Sequence, residues 1–577
     1  MDRELYDKVS RWFEEHREEM IGDIIRLVRI PSVSCPQEGE EAPFGEACRD
    51  CLEEMLAMGR EFGFHTENYG NRVGSIGQQD KDWDHMIGFW NHLDVVPVGN
   101  QWTYEPFEPV LKDYFLIGRG AQDNKGPAVG ILYMMKCLRE LEIPIKHQLT
   151  LFVGCDEERG MKDLEYYVSH HPTPRLSMIA DSGFPVCYGE KGILEGSLHS
   201  RENVCEEILE LEGGNASNMI PDAAYVVLKS TKALEEELDC IAGENSNKTA
   251  AESVIGQNSD KTAAESVIGQ NTDKTAAEGV IGENSDKAAA EGGIGQNSDK
   301  TAAESGIGQN SDKTAAEGVI GEDSDKADTE SGIGKESLKL ARITVEREAG
   351  KIRIGASGES RHSAFPEGSV NAVHELLKFL SGLTSLPEKD RKLFGKLAYL
   401  SQEYYGEHMG IAGSDEVSGR TTCAATVLKL KEGRVSLHFN IRYVISEDGE
   451  KLSALLSGKA EEKELLWETE RNSAPNYFPK EHPAVGILTD LYNEITGGNA
   501  EAFVMGGGTY ARKLPRAFAY GVGGMKQSEE DIRIKESLFL PGHGGAHEPD
   551  EGLNVRLLTE AMKIYTMAVI ALNDCEI

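Results

Sequence analysis

Three apolar runs do most to constrain the fold of this 577-residue chain. They are DHMIGFWNHLDVV (84–96), HQLTLFVGCDEE (147–158) and LSMIADSGFP (176–185), and each runs out into acids or a histidine. Continuous apolar stretches of this length read as strands buried on both faces. Between them, 126–141 and 161–170 carry helical periodicity. Strands alternating with helices predict an α/β unit around a largely parallel sheet. In such sheets, ligand sites lie beyond the carboxyl ends of the strands. His92, Glu157 and Asp181 all come late in their runs.

Other segments read less sharply. The first 35 residues suggest one helix or two, and EACRDCLEEM, with Cys48 and Cys51, reads as helix. LKLARITVEREAGKIRIGASGES (338–360) looks like two strands, and VNAVHELLKFLSGL (370–383) like a helix. RVSLHFNIRYVIS (434–446) alternates as a half-buried strand does. Further on come a helix in HPAVGILTDLYNEITG (482–497), a strand entering a glycine-rich loop in FVMGGGTYARKL (503–514), and a long C-terminal helix. From Gly243 to Ile333, seven units of 13 residues repeat the motif GQNSDKTAAESVI. The motif offers only Val/Ile and two alanines, and a glycine at its start weakens any continuous helix. The repeat therefore reads as a disordered or weakly helical surface insertion.

Composition excludes several function classes. The formal net charge is −38, of which the repeat carries −11, so the rest of the chain is acidic too. Nucleic acid and anionic membranes reward basic patches, so neither is an expected partner. The N-terminus has no apolar signal region, and no stretch approaches the ~18 apolar residues of a membrane span. The ten cysteines are scattered, and the single CxxC of Cys48 and Cys51 has no second pair to complete a zinc site. A cytoplasmic location is expected.

Candidate chemistry gathers at the strand ends. His92 and Asp94 form HLD, where residues i and i+2 face one side. Asp94 is also placed to orient His92 through the backbone or a neighbouring ligand. Asp123 lies in the glycine-rich GRGAQDNKGP, as a ligand or as a helix cap. Asp156, Glu157 and Glu158 crowd at the end of LTLFVGC, where acids repel unless cations or protons compensate. Neighbours in an extended segment point opposite ways, so one of Glu157 and Glu158 is free to bind metal while the other acts as a general base. Asp181 ends LSMIAD, and His543 and His547 lie in PGHGGAHEPDE. Together His92, Asp123, Glu158, Asp181 and His547 suit two divalent ions if one carboxylate bridges.

HLDVVP, GRGAQDNKGP, DEERG and ADSGFPV occur in the order and rough spacing of the M20 metallopeptidases. GGNASNMIPD, ESRHSAFPEG, FNIRY, GGGTYAR and PGHGGAHEPDE resemble the PepV/Sapep dipeptidase branch. The resemblance covers nearly the whole chain except the repeat. It implies an α/β, zinc-peptidase-like catalytic domain with a central, mostly parallel sheet, from residues 1–190 and 477–577. An α+β lid domain, residues 191–476, is inserted within it and contains the repeat 243–333. The resemblance also assigns roles. His92 and Asp181 hold one metal, Glu158 and His547 the other, and Asp123 bridges. Glu157 is the general base and Asp94 supports the site. His362 polarises the scissile carbonyl, while Asn218, Arg442 and the loop Gly506, Gly507, Gly508 grip the peptide's polar ends. Asn124 stands where the family often has a second Asp, and Arg361 precedes His362 where a small residue is common. The expected cofactors are two divalent ions, Zn or Mn, with Co also accepted. The expected substrate is a dipeptide or short peptide with a free amino end, and the expected state is a monomer. Two other readings remain: a deacylase of the same superfamily acting on N-acyl amino acids, and a non-catalytic acidic scaffold working through the repeat.

Overall fold

In a computed structural model of the chain, the described residues are 2–37, 39, 41–242, 337–340 and 342–577. The tandem repeat 243–333 lies outside them. Two large sheets, each with its own buried core, organise the rest.

The first sheet forms from the apolar runs. Its order is His65–Tyr69, Val73–Gly77, Gln148–Gly154, Met86–His92, Leu176–Ile179, Ala517–Tyr520, Val186–Glu190, Asn476–Tyr477, and Phe503–Met505 also pairs with Val186–Glu190. The four central strands, from Gln148–Gly154 to Ala517–Tyr520, run parallel. Most flanking pairs are antiparallel, so the sheet is mixed rather than parallel throughout. The reason is chain length: Tyr69 and Val73 are joined by a tight turn, and a parallel neighbour would need a crossover of a dozen residues or more. Met86–His92 is buried at every position, as expected for a central strand covered on both faces.

Helices Arg3–Val28, Gly126–Glu140, Pro483–Thr496 and Val555–Ala571 share this core. The N-terminal segment is one helix, capped by Asp2, whose carboxylate accepts the Leu5 N–H at 3.1 Å. Gly126–Glu140 is buried on nearly every side because it packs against the Val555–Ala571 helix as well as the sheet. A Cβ at Gly130 would meet Met562 Sδ at 2.8 Å, so glycine permits that close approach. No helix among the described residues is long and apolar enough to cross a membrane.

The second sheet is antiparallel throughout, in the order Ser337–Leu340, Ile343–Glu348, Lys351–Ser357, Ala223–Lys229, Ile208–Gly213, Thr422–Lys431, Arg434–Tyr443, Gly192–Ser200, Leu465–Ser473. Helices Ala372–Gly382, Glu388–Leu400 and Gly449–Glu462 contribute to its core. Residues 338–360 hold parts of three strands, not two: Leu340 pairs with Ile343 across a reversal that no Gly or Pro marks. Arg434–Tyr443 does alternate, but its polar face is buried: Asn440 is 0% and Arg442 6% exposed. The chain passes between the sheets at Lys191 and again at residues 474–475.

Phe89 on the central strand is fully buried, with its ring centroid 6.2 Å from that of Tyr565. Phe89→Ala should cost about 3–5 kcal/mol of stability, read as a lower denaturant midpoint.

Candidate metal centre

His92 closes the central strand and is 1% exposed. Its Nδ1 lies 2.9 Å from the Asp94 carbonyl oxygen, so Nδ1–H donates there and leaves the Nε2 lone pair facing the site. Nε2 is 2.9 Å from Asp123 Oδ1 and 3.6 Å from Asp181 Oδ2. On the other side of Asp123, His547 Nε2 is 3.1 Å from its Oδ2 and 2.9 Å from Glu158 Oε1. Two donor triads result, His92–Asp123–Asp181 and Asp123–Glu158–His547, each with its ligand atoms within 4.8 Å of one another. Asp123 belongs to both.

Main-chain donors place these side chains. Asp94 does not share a strand face with His92, because the strand ends at His92. Its carboxylate accepts the N–H groups of Glu157 at 3.0 Å and Glu158 at 3.1 Å. Glu157 and Glu158 therefore sit in a turn, residues 157–160, rather than in an extended segment; Glu158 meets His547, and Glu157 Oε1 has no partner among the described residues. Asp156 stands apart, accepting from Ser34 Oγ at 2.5 Å and Lys162 N at 3.1 Å. The carboxylate of Asp123 faces the histidines, and helix Gly126–Glu140 has no side-chain cap. His543 lies 2.7 Å from Asp550, whose other oxygen takes the Thr103 and Tyr104 N–H groups, so His543 holds the loop while His547 faces the acids. Cys48 and Cys51 are buried in helix Glu46–Glu61, with sulfurs against backbone carbonyls.

Sequence reasoning missed two supports. Glu551 Oε1 accepts the N–H groups of Gln122 at 2.8 Å and Asp123 at 3.0 Å, while its Oε2 takes Gly120 N and Arg119 Nη1. Arg119 and Glu551 are each 1% exposed. A buried arginine in a glycine-rich loop needs an acid, and the acid at the end of HEPDE was the available signal. Asn124 is the second support. Its amide donates to Asp181 Oδ1 at 2.8 Å and accepts from Asn91, which fixes Asp181 without adding a charge.

The electrostatics follow from crowding. Burial, with Asp123 next, pushes the Asp181 carboxyl up to about 7. Burial foremost holds Glu157 well above its ordinary value. Glu157 Oε1 is also buried with no hydrogen-bond partner among the described residues. Asp123 and Glu158 draw His547 up to about 11. Burial opposes the charge on Asp123, but His547 and His92 outweigh it and hold that carboxyl low. Acids in this arrangement are short of positive charge, and the donor set fits divalent cations. Tetrahedral zinc bonds of roughly 2.0–2.2 Å put ligand atoms about 3.4 Å apart. The histidine–carboxylate separations here run from 2.9 to 3.6 Å, and all ligand atoms of a triad lie within 4.8 Å.

The candidates from the second sheet form another cluster. Asn218 O accepts the Ser363 N–H at 2.9 Å, and Met219 bridges His362. Ser363 Oγ and Arg442 Nε both donate to Asn440 Oδ1 at 2.8 Å, and Arg442 Nη1 donates to Gly506 O at 3.1 Å. His362 Nδ1 accepts the Ala364 N–H at 3.2 Å. Burial, then the Arg442 charge, lowers His362 to about 4, so at neutral pH it is uncharged, with its proton on Nε2. Among the described residues, no hydrogen bond or ion pair joins this cluster to the two triads.

A family model described as peptidase family M20/M25/M40 matches residues 88–571. The "Putative dipeptidase YtjP" of Bacillus subtilis is 25% identical over 570 residues, covering 96% of this chain and 97% of its own. A "Putative dipeptidase" of Staphylococcus epidermidis is 27% identical over 572 residues, covering 97% and 98%. Among solved structures, human carnosine dipeptidase 1 aligns over 99% of both chains with 12% identity and a TM-score of 0.49.

Metal affinity should depend on pH. Asp181, pushed up to about 7, folds with its proton bound, so its share of metal-free stability is full below about 4 and lost as pH rises through 7. A divalent ion must displace that proton and the one on His547. Zinc or manganese should therefore raise the melting temperature of stripped protein more at pH 8 than at pH 6. Equal shifts at both pH values would count against these ligands.

Proposed function

The chain belongs to peptidase family M20/M25/M40, and from that premise we propose that it is a dipeptidase dependent on two divalent ions, zinc or manganese. One observation carries the reading: two donor triads share Asp123 beside a buried Glu157 oxygen that has no hydrogen-bond partner among the described residues. In this reading His92 and Asp181 would hold one ion, His547 and Glu158 the other, and Asp123, common to both triads, would serve both. The names of the relatives, both putative dipeptidases, support the choice of dipeptides over longer substrates.

When bound, such ions supply positive charge that acidifies a water, polarises a carbonyl and lets crowded carboxylates ionise together. Glu157 takes the proton from the attacking water and returns it to the leaving amine. Among the described residues its Oε1 has no competing hydrogen bond to break first. Asp94 acts indirectly, presenting Glu157 and Glu158 through their N–H groups and His92 through its carbonyl. His362 is neutral, with Nε2–H free to donate to the oxyanion as charge develops there. Arg442 and Asn218, with the loop Gly506–Gly508, take the peptide's polar ends. Residues 1–190 and 477–577 then serve as the catalytic domain and 191–476 as the lid, whose closure brings His362 to the metals and excludes water.

Glu157→Gln keeps size and loses basicity. It should retain two equivalents of metal while kcat on dipeptides falls by about 100- to 10,000-fold. Turnover near that of the unmodified enzyme would sink the mechanism. Assaying dipeptides beside N-acyl amino acids tests the substrate class, with dipeptides expected to give the higher kcat/KM. Removing residues 243–333 should leave that activity intact, which an assay of the shortened chain would check.

A further inference from the structure

The loop Gly506–Gly508 is held from both sheets at once. Arg442, from the second sheet, donates to Gly506 O. Arg512, from the short helical turn Tyr510–Lys513 beside the first sheet, donates through Nη2 to Gly507 O at 2.9 Å. The same guanidinium reaches both places where the chain passes between the sheets: Nη2 lies 3.3 Å from Lys191 O, and Nη1 lies 3.4 Å from Ala474 O. Its Nε pairs with Glu190 Oε2 at 3.2 Å. Glu190 Oε1 in turn takes the N–H of Thr509 at 3.1 Å and its hydroxyl at 2.6 Å. The side chains of Arg512 and Glu190 are 2% and 1% exposed.

A buried ion pair of this kind adds little net stability over apolar residues of the same volume. What it supplies is direction. A guanidinium has five N–H groups in a rigid fork, and here they point at carbonyls of three separate segments. The fit is tight: a Cβ on Gly508 would overlap the guanidinium of Arg512, so Gly508 must lack one. Glu190 is the last residue of its strand, and two residues later the chain enters the second sheet.

We propose that Arg512, buttressed by Glu190, is a positioning residue that ties the substrate-gripping loop Gly506–Gly508 to both crossings between the sheets, so that loop geometry and lid orientation are set together. This rests on the functional reading above, in which that loop binds the peptide. Arg512 acts on substrate through the loop carbonyl and the crossings, not by contact.

The test is steady-state kinetics on dipeptides with Arg512→Met and Arg512→Lys, alongside metal content and thermal unfolding. Lysine retains the charge opposite Glu190 but cannot address three segments. Arg512→Lys should therefore recover most of the stability lost in Arg512→Met while KM stays raised by about 10- to 100-fold, the loss of one charge-assisted hydrogen bond. Metal content should be unchanged and kcat within a few fold. If KM is unchanged in a folded Arg512→Lys protein, or recovers along with stability, the role is structural and the proposal is wrong. Should neither variant fold, Glu190→Gln decides, because it removes the charge that holds Arg512 and alters no residue of the loop: raised KM supports the proposal and unaltered KM overturns it. Failure of the unmodified protein to hydrolyse any dipeptide would instead remove the functional reading, and this inference with it.

Discussion

The crowding of carboxylates around Asp123 is the constraint on which the rest depends. Asp123, Glu158 and Asp181 converge on two histidines, with Asp94 and Glu157 directly behind. Burial, and then like charges this close, raise a carboxylate's proton affinity, as at Asp181, unless cations join them. The site is thus built to be short of positive charge, and it sits at the carboxyl end of a parallel strand group, where strand ends and loops from distant segments meet.

Holding such a cluster takes donors that add no mobile charge. Asp94 receives two backbone N–H groups from the turn that carries Glu157 and Glu158. Glu551 receives those of Gly120, Gln122 and Asp123, with its own charge met by Arg119. Asn124 fixes Asp181 with an amide where a second carboxylate would have deepened the repulsion. The acids are therefore oriented before any ligand arrives, which lowers the ordering cost of binding.

The second sheet answers a different need. Its polar strand face, with Asn440 and Arg442, is buried against residues 362–364 and the glycine loop rather than wet. An arginine from the second sheet and one from the helical turn beside the first grip adjacent carbonyls of that loop. The two halves of the molecule are thereby joined through a segment too small to fill space by itself but well able to present backbone groups.

The sequence by itself determined the central strands, the helices between them and the identity of the clustered acids and histidines. Long apolar runs have few other solutions, and their polar ends must lie at the sheet's edge. It did not determine the antiparallel flanks, the reversal between Leu340 and Ile343, or the turn that separates Glu157 from Glu158. Those depend on pairings between residues far apart in the chain, such as Asp94 with residues 157–158. Only the tertiary structure decided that Glu551, more than 400 residues from Asp123, would hold it, or that Arg512 would reach both crossings. Local patterning fixes which residues are buried; which buried charges become partners is set by the packing of distant segments, and no local period records it.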